Sequence, residues 1–256
     1  MRDYLGAAWE DPAIRFLISG GNSRIAPVVE SARQEGHRHV FGLVDRDFRR
    51  SNRDRWGKMD SDLRVFVPTA HEVENYLLDP DALADCSLNT GKRTRAEIEG
   101  RLKTRYEELS CWTACRSVLA ALRRKFFDGF PPHPGPPAIP TLQAAQRYII
   151  ESPWMQSLPT TVQDTLSAPA VRIRLEQAHQ EALQQMFTNE WRWGISGKEL
   201  LRDIRDWVYR GGGGTSAERD SNLARSVAEW QVRNSTAPPE VSELHRALRT
   251  RVELPV

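Results

Sequence analysis

The chain is poor in cysteine. Cys86, Cys111 and Cys115 are the only three in 256 residues. That is too few, and too irregularly spaced, for a disulfide framework. Cys111 and Cys115 lie one helical turn apart, but no second Cys/His pair has matching spacing, so reduced thiols on one helix face are expected rather than a metal site. Charge of neither sign prevails: 36 Lys and Arg stand against 34 Asp and Glu. Any basic surface must therefore be local and offset by acids elsewhere. No apolar run approaches a membrane span, and "MRDYLGAAWEDPAIRF" has no continuous apolar h-region. The expectation is a cytoplasmic protein that makes no membrane contact. A Walker motif is also missing. The glycines at 211–214 are not followed by G-K-[ST], so any ATPase would have to be a separate chain. No internal repeat is visible.

What is present suits a globular protein with a core: 39% of residues are apolar and 27% charged. "AIRFLIS" (13–19), "HVFGLV" (39–44) and "LRVFVP" (63–68) are short apolar runs that read as strands. Between the first two, "RIAPVVESARQEG" reads as a helix, with Pro27 in its first turn and Gly36 at its end. Strand–helix–strand with runs buried on both faces implies a parallel sheet. A helix is expected from Thr69 to Leu78. From Arg93 to Phe127 the apolar spacing is helical, through Ile98, Leu102, Tyr106, Leu109, Trp112, Val118, Leu119, Leu122 and Phe126. "DGFPPHPGPPAIP" (128–140) reads as a stiff connector or surface loop. The expected fold class is α/β: a small parallel-sheet, Rossmann-like domain over 1–90, then a mainly α-helical region over 91–256.

The chemistry concentrates in "FGLVDRDFRRSNRDRWGKMDSDLRVFVPTAHEVENYLLDP" (41–80). In a parallel α/β sheet, ligands bind beyond the carboxyl ends of strands. Asp45 follows "FGLV" directly, and Asp47 points the same way if the backbone stays extended. Two carboxylates so close repel unless a cation joins them, and Mg²⁺ accepts such oxygens. On a helix, His71, Glu74 and Asn75 share one face, Val73, Tyr76 and Leu77 the other, and Glu72 lies on the flank. Position 75 is Asn, which rules out the H-E-x-x-H zinc motif.

"GLVDRDF" followed by "VFVPTAHEVENYLLDP" resembles the Toprim domain of OLD-family nucleases, above all the standalone Toprim effectors of bacterial phage-defence operons. "ISGKELLRDI" (195–204) is similar to a segment in the C-terminal part of such proteins. The resemblance implies a Mg²⁺- or Mn²⁺-dependent phosphodiesterase acting on RNA or DNA, controlled by a separately encoded ABC-type ATPase and able to form a homo-oligomer. It implies Asp45, Asp47 and Glu74, with Glu72 beside them, as metal ligands. Lys198 would lie near the scissile phosphate, and Asp45, Asp47, Glu74 and Lys198 would be catalytic.

The resemblance breaks at the first strand. The family places a glutamate before glycine there and an aspartate soon after. This chain has "FLISGGNS", with Ser19 and Ser23 at those positions. Losing a general base costs roughly 100- to 10,000-fold in rate. Either another acid, such as Glu10, Glu30 or Glu72, substitutes, or the protein is a catalytically degenerate subunit that binds without cutting. Phosphoryl transfer on a small phosphate ester is a third reading. Beside the acids, Arg46, Arg49, Arg50, Arg53 and Arg55 interleave with Trp56, a pattern suited to a phosphate backbone and a stacked base.

Overall fold

The computed structural model describes residues 2–18, 20–48, 56–57, 64–125, 134–157, 166–188, 191–209 and 215–253. Along the chain run α1 (Arg2–Trp9), α2 (Asn22–Gln34), β1 (Gly42–Leu43), β2 (Trp56–Gly57), β3 (Val65–Phe66), a 3-10 turn (Val73–Leu77), α3 (Pro80–Asp85) and α4 (Arg95–Lys125). A 3-10 turn at Pro136–Ala138 precedes α5 (Leu142–Ile150), α6 (Pro153–Gln156) and α7 (Ala168–Gln185). A third 3-10 turn (Trp191–Trp193) precedes α8 (Gly197–Val208), α9 (Ser216–Arg233) and α10 (Pro239–Glu253).

The expected Rossmann-like parallel-sheet domain does not form. Among the described residues the sheet has three strands of two residues each, in the order β1-β3-β2. Only β1 and β3 are parallel, and β2 lies antiparallel to β3, with Trp56 opposite Phe66. The protein is mostly helical. The described part of the run at 13–19 supplies no strand: residues 14–18 have no regular structure, and Leu17 and Ile18 are 90% and 82% exposed. A short apolar run has no periodicity that separates a strand from an irregular segment, which is why the sequence misleads here.

The chain divides into two compact units. One comprises 1–47, 51–100 and 197–256, the other 48–50 and 101–196. In the first, α2 ends as expected at a glycine: Gly36 has φ +92°, and the Gly36 and His37 amides donate back to Arg33 and Ala32. Pro27, however, lies inside α2 rather than in its first turn. The Gly42 and Val44 amides of the β1 segment donate to Arg64 and Phe66 beside it. Gly42 is required by proximity, because a Cβ there would lie 2.6 Å from Ile25 and 3.2 Å from Val65.

The core of this unit includes a buried polar chain. Tyr4 stacks on Tyr76 at 5.8 Å and donates to Gln231 Oε1 at 2.7 Å. Gln231 in turn donates to the Tyr76 carbonyl and to Asp79, the N-cap of α3. The Tyr76 hydroxyl donates to Glu240 Oε1 at 2.5 Å, and the other Glu240 oxygen accepts the Thr69 amide. Every member therefore has a partner, the condition under which such groups can be buried without a large penalty. Arg205 of α8 reaches Asp220 and Ser216 of α9.

In the second unit, the α4 face read from the sequence is the buried one. Leu102, Tyr106, Leu109, Trp112, Val118, Leu119 and Leu122 are all at most 5% exposed, and Phe126 lies outside the described residues. Residues 128–133 of the proline-rich stretch also lie outside them. The remainder is anchored, since the Trp112 indole donates to the Pro134 carbonyl and Ile139 is buried. Trp191 and Trp193 lie on the third 3-10 turn, with Trp191 buried and edge-on to Tyr106. Cys115 is fully buried, and burial pushes its thiol up to about 12. No helix among the described residues is long and apolar enough to cross a membrane.

Substituting Gly42→Val should overpack the contact between α2 and the sheet and lower stability by about 1–3 kcal/mol. Urea unfolding checks this, and an unchanged midpoint would show that the contact is slack.

Candidate metal centre

Two short segments of the first unit carry the site. Beyond β1 the chain does not stay extended. Asp47 has φ +49°, in the left-handed region that Asp tolerates better than most residues. Its amide donates to the His71 carbonyl at 2.8 Å. This hydrogen bond ties the Asp45–Asp47 segment to the segment after β3. Asp45 and Asp47 are therefore not two teeth of one strand, and the extended backbone expected at Asp47 does not form.

The segment after β3 also differs from expectation. The helix expected over 69–78 is a 3-10 turn that begins only at Val73, and Glu72 before it is extended, with φ −139° and ψ 166°. Glu72 is the N-cap. Its side chain accepts the Asn75 amide, and Asn75 Oδ1 accepts the Glu72 amide at 2.7 Å. This is a capping box with the acid at the cap position. It leaves His71 and Glu72, 2% and 4% exposed, inside the protein rather than on a solvated helix face.

One ligand atom from each of Asp47, His71 and Glu72 lies within 4.8 Å of the other two. Two carboxylates and an imidazole at this spacing could hold a metal ion. Among the described residues this is the group of three such side chains that comes together. Sequence reasoning did not assign His71 as a ligand. The available signal is the His-Glu pair two residues past the apolar run at 63–68, which without a second histidine fits no zinc motif.

Asp45, Glu74 and Lys198 form the other side of the site. Asp45 Oδ2 is 3.2 Å from Lys198 Nζ, and Asp45 Oδ1 accepts the Val73 amide at 3.4 Å. Glu72 is shared. Its Oε2 accepts the Lys198 backbone amide at 2.9 Å, and its Oε1 lies 3.8 Å from Nζ. Glu72 thus sits at the positive N-terminal end of α8, where a carboxylate is favoured. Burial opposes charge on Lys198, but the carboxylates of Glu74, Glu72 and Asp45 outweigh it and raise the ammonium's pKa. Glu74 is half-buried. Burial raises its pKa first, and Asp45 and Glu72 add to this while Lys198 opposes it.

Gly197 explains how α8 comes so close. A Cβ there would stand 2.5 Å from the Asn75 amide nitrogen and 2.8 Å from its side chain. The "GK" step at 197–198 therefore joins a residue with no side chain to one whose amine reaches the acids.

The basic stretch is only partly described. Arg46 is half-buried between Asp45 and Asp47 in sequence. Arg49, Arg50, Arg53 and Arg55 lie outside the described residues, as does the side chain of Trp56, whose backbone forms β2. Ser19 lies outside them too, and so does the Ser23 side chain. Of the substitute acids, Glu30 is exposed on α2 beside Arg33, and only Glu72 is in the group of three. Compared with known proteins, the chain matches no family model, no curated protein and no solved structure.

In an open helix, Gly→Ala gains about 1 kcal/mol. Gly197→Ala should instead lose about 1–3 kcal/mol, because the methyl collides with the Asn75 backbone. Thermal unfolding checks the sign, and a stabilised variant would mean that α8 does not press on the capping turn.

Proposed function

We propose that the protein is a divalent-metal-dependent phosphodiesterase acting on RNA or DNA. The observation that carries this reading is the group Asp47, His71 and Glu72, which has the lysine of α8 beside it. The donor set fits a small divalent cation: two carboxylates satisfy Mg²⁺ or Mn²⁺, and the imidazole nitrogen suits Mn²⁺ better. When bound, the ion would supply Lewis acidity and a water of lowered pKa.

The remaining roles belong to the chain itself. Lys198 is cationic, half-exposed and mounted on the first turn of α8, so it can offset the charge of a phosphate approaching from solvent. Glu74, whose pKa is raised first by burial, is the candidate to accept a proton, since a base works best with its pKa nearer the working pH. It supplies an acid from the turn after β3, in a chain whose "FLISGGNS" stretch has only Ser19 and Ser23. Nucleic acid as the substrate class rests on the motif resemblance of residues 41–80 and on the arginines within them.

The test is to incubate the purified protein with end-labelled RNA, single-stranded DNA and plasmid, with Mg²⁺, with Mn²⁺ or with EDTA. Metal-dependent cleavage is expected, strongest with Mn²⁺. Asp47→Ala, His71→Ala and Glu72→Ala should abolish it, and Glu74→Gln should slow it roughly 100-fold or more. Metal-dependent binding without cleavage would contradict catalysis and favour a capture role. Turnover of a simple phosphomonoester alone would point to small phosphate esters.

A further inference from the structure

We infer that Lys198 is the site's internal cation, and that its ammonium must leave the Asp45 and Glu72 carboxylates when a divalent ion binds. This rests on the metal reading above. Glu72 stands between the two claims: one of its oxygens belongs to the group with Asp47 and His71, while Oε1 lies 3.8 Å from Lys198 Nζ. An ion held by that carboxylate and an ammonium beside it repel each other and compete for the same negative charge. Asp45, whose Oδ2 is 3.2 Å from Nζ, gives the ammonium its second hold.

The partners differ in freedom. The Glu72 side chain is 5% exposed and is fixed by the Asn75 and Lys198 amides. The Lys198 side chain is 52% exposed on a flexible four-carbon stem. The lysine therefore yields, while its backbone amide keeps hold of Glu72. Metal binding would then do two things at once. It would replace one cation by another in the buried cluster, and it would turn an amine already at the rim outward to meet an anionic ligand.

The experiment is a Mn²⁺ titration by calorimetry of the wild type, Lys198→Met and His71→Ala. It is paired with acylation of wild-type Lys198 by a soluble ester, read by mass spectrometry with and without saturating Mn²⁺. Lys198→Met should bind Mn²⁺ about tenfold tighter than the wild type, and Mn²⁺ should speed acylation of Lys198 severalfold. Equal or weaker binding by a Lys198→Met whose circular dichroism matches the wild type, or Lys198 acylation that Mn²⁺ leaves unchanged or slows, would overturn the inference while leaving the metal centre standing. Absence of Mn²⁺ binding in the wild type and Lys198→Met, or wild-type affinity in His71→Ala, would overturn the metal centre and the inference with it. The acylation arm needs no variant, so a misfolded Lys198→Met would not blunt the test.

Discussion

The buried carboxylate of Glu72 is the constraint on which the rest of the site depends. It caps its own 3-10 turn through the Asn75 amide, accepts the Lys198 amide at the start of α8, and has an oxygen within 4.8 Å of ligand atoms of Asp47 and His71. A carboxylate with so little solvent is tolerable only where hydrogen-bond donors and positive charge compensate it. Here the compensation comes from two helical N-termini and one ammonium. The same bonds that make the burial tolerable fix the carboxylate's position, so structural and chemical roles converge on one residue.

The surroundings stiffen that arrangement from behind. Tyr76, four residues beyond Glu72, is gripped at its ring by Tyr4, at its hydroxyl by Glu240 and at its carbonyl by Gln231. Three helices distant in sequence, α1, α9 and α10, thus hold the turn that presents His71, Glu72 and Glu74. The C-terminal helices are part of the unit that carries the site, and their contribution is positional: a ligand set works only if its supports keep side chains within a fraction of an ångström.

Part of this was legible in the sequence. The α4 face was, because its 3.6-residue period runs over many turns and few other structures produce it. The two acidic segments were also legible, since an apolar run that ends in carboxylates is a conspicuous pattern. The rest was not, for identifiable reasons. Leu17 and Ile18 look like strand residues, yet they are exposed and lie outside any regular element, and a run of that length carries no period that distinguishes the two. The left-handed turn at Asp47 and the extended cap at Glu72 depend on a hydrogen bond to the His71 carbonyl and on contact with α8, and both are tertiary. Regrouping follows from these two features. Spacing put Asp45, Asp47 and Glu74 together, while the fold gathers Asp47 with His71 and Glu72 and turns Asp45 toward Lys198. Gly197 was visible only as half of a "GK" step, and its reason, the pressure of Asn75, lies 122 residues away.

The most direct test is crystallographic. Crystals soaked in Mn²⁺ and measured at the manganese absorption edge would locate the ion without reference to activity. An anomalous peak bonded to Asp47, His71 and Glu72 is expected, with the Lys198 amine swung away from Glu72 Oε1. A map with no peak there, or with the ion elsewhere and Lys198 still bridging Asp45 and Glu72, would contradict the metal centre.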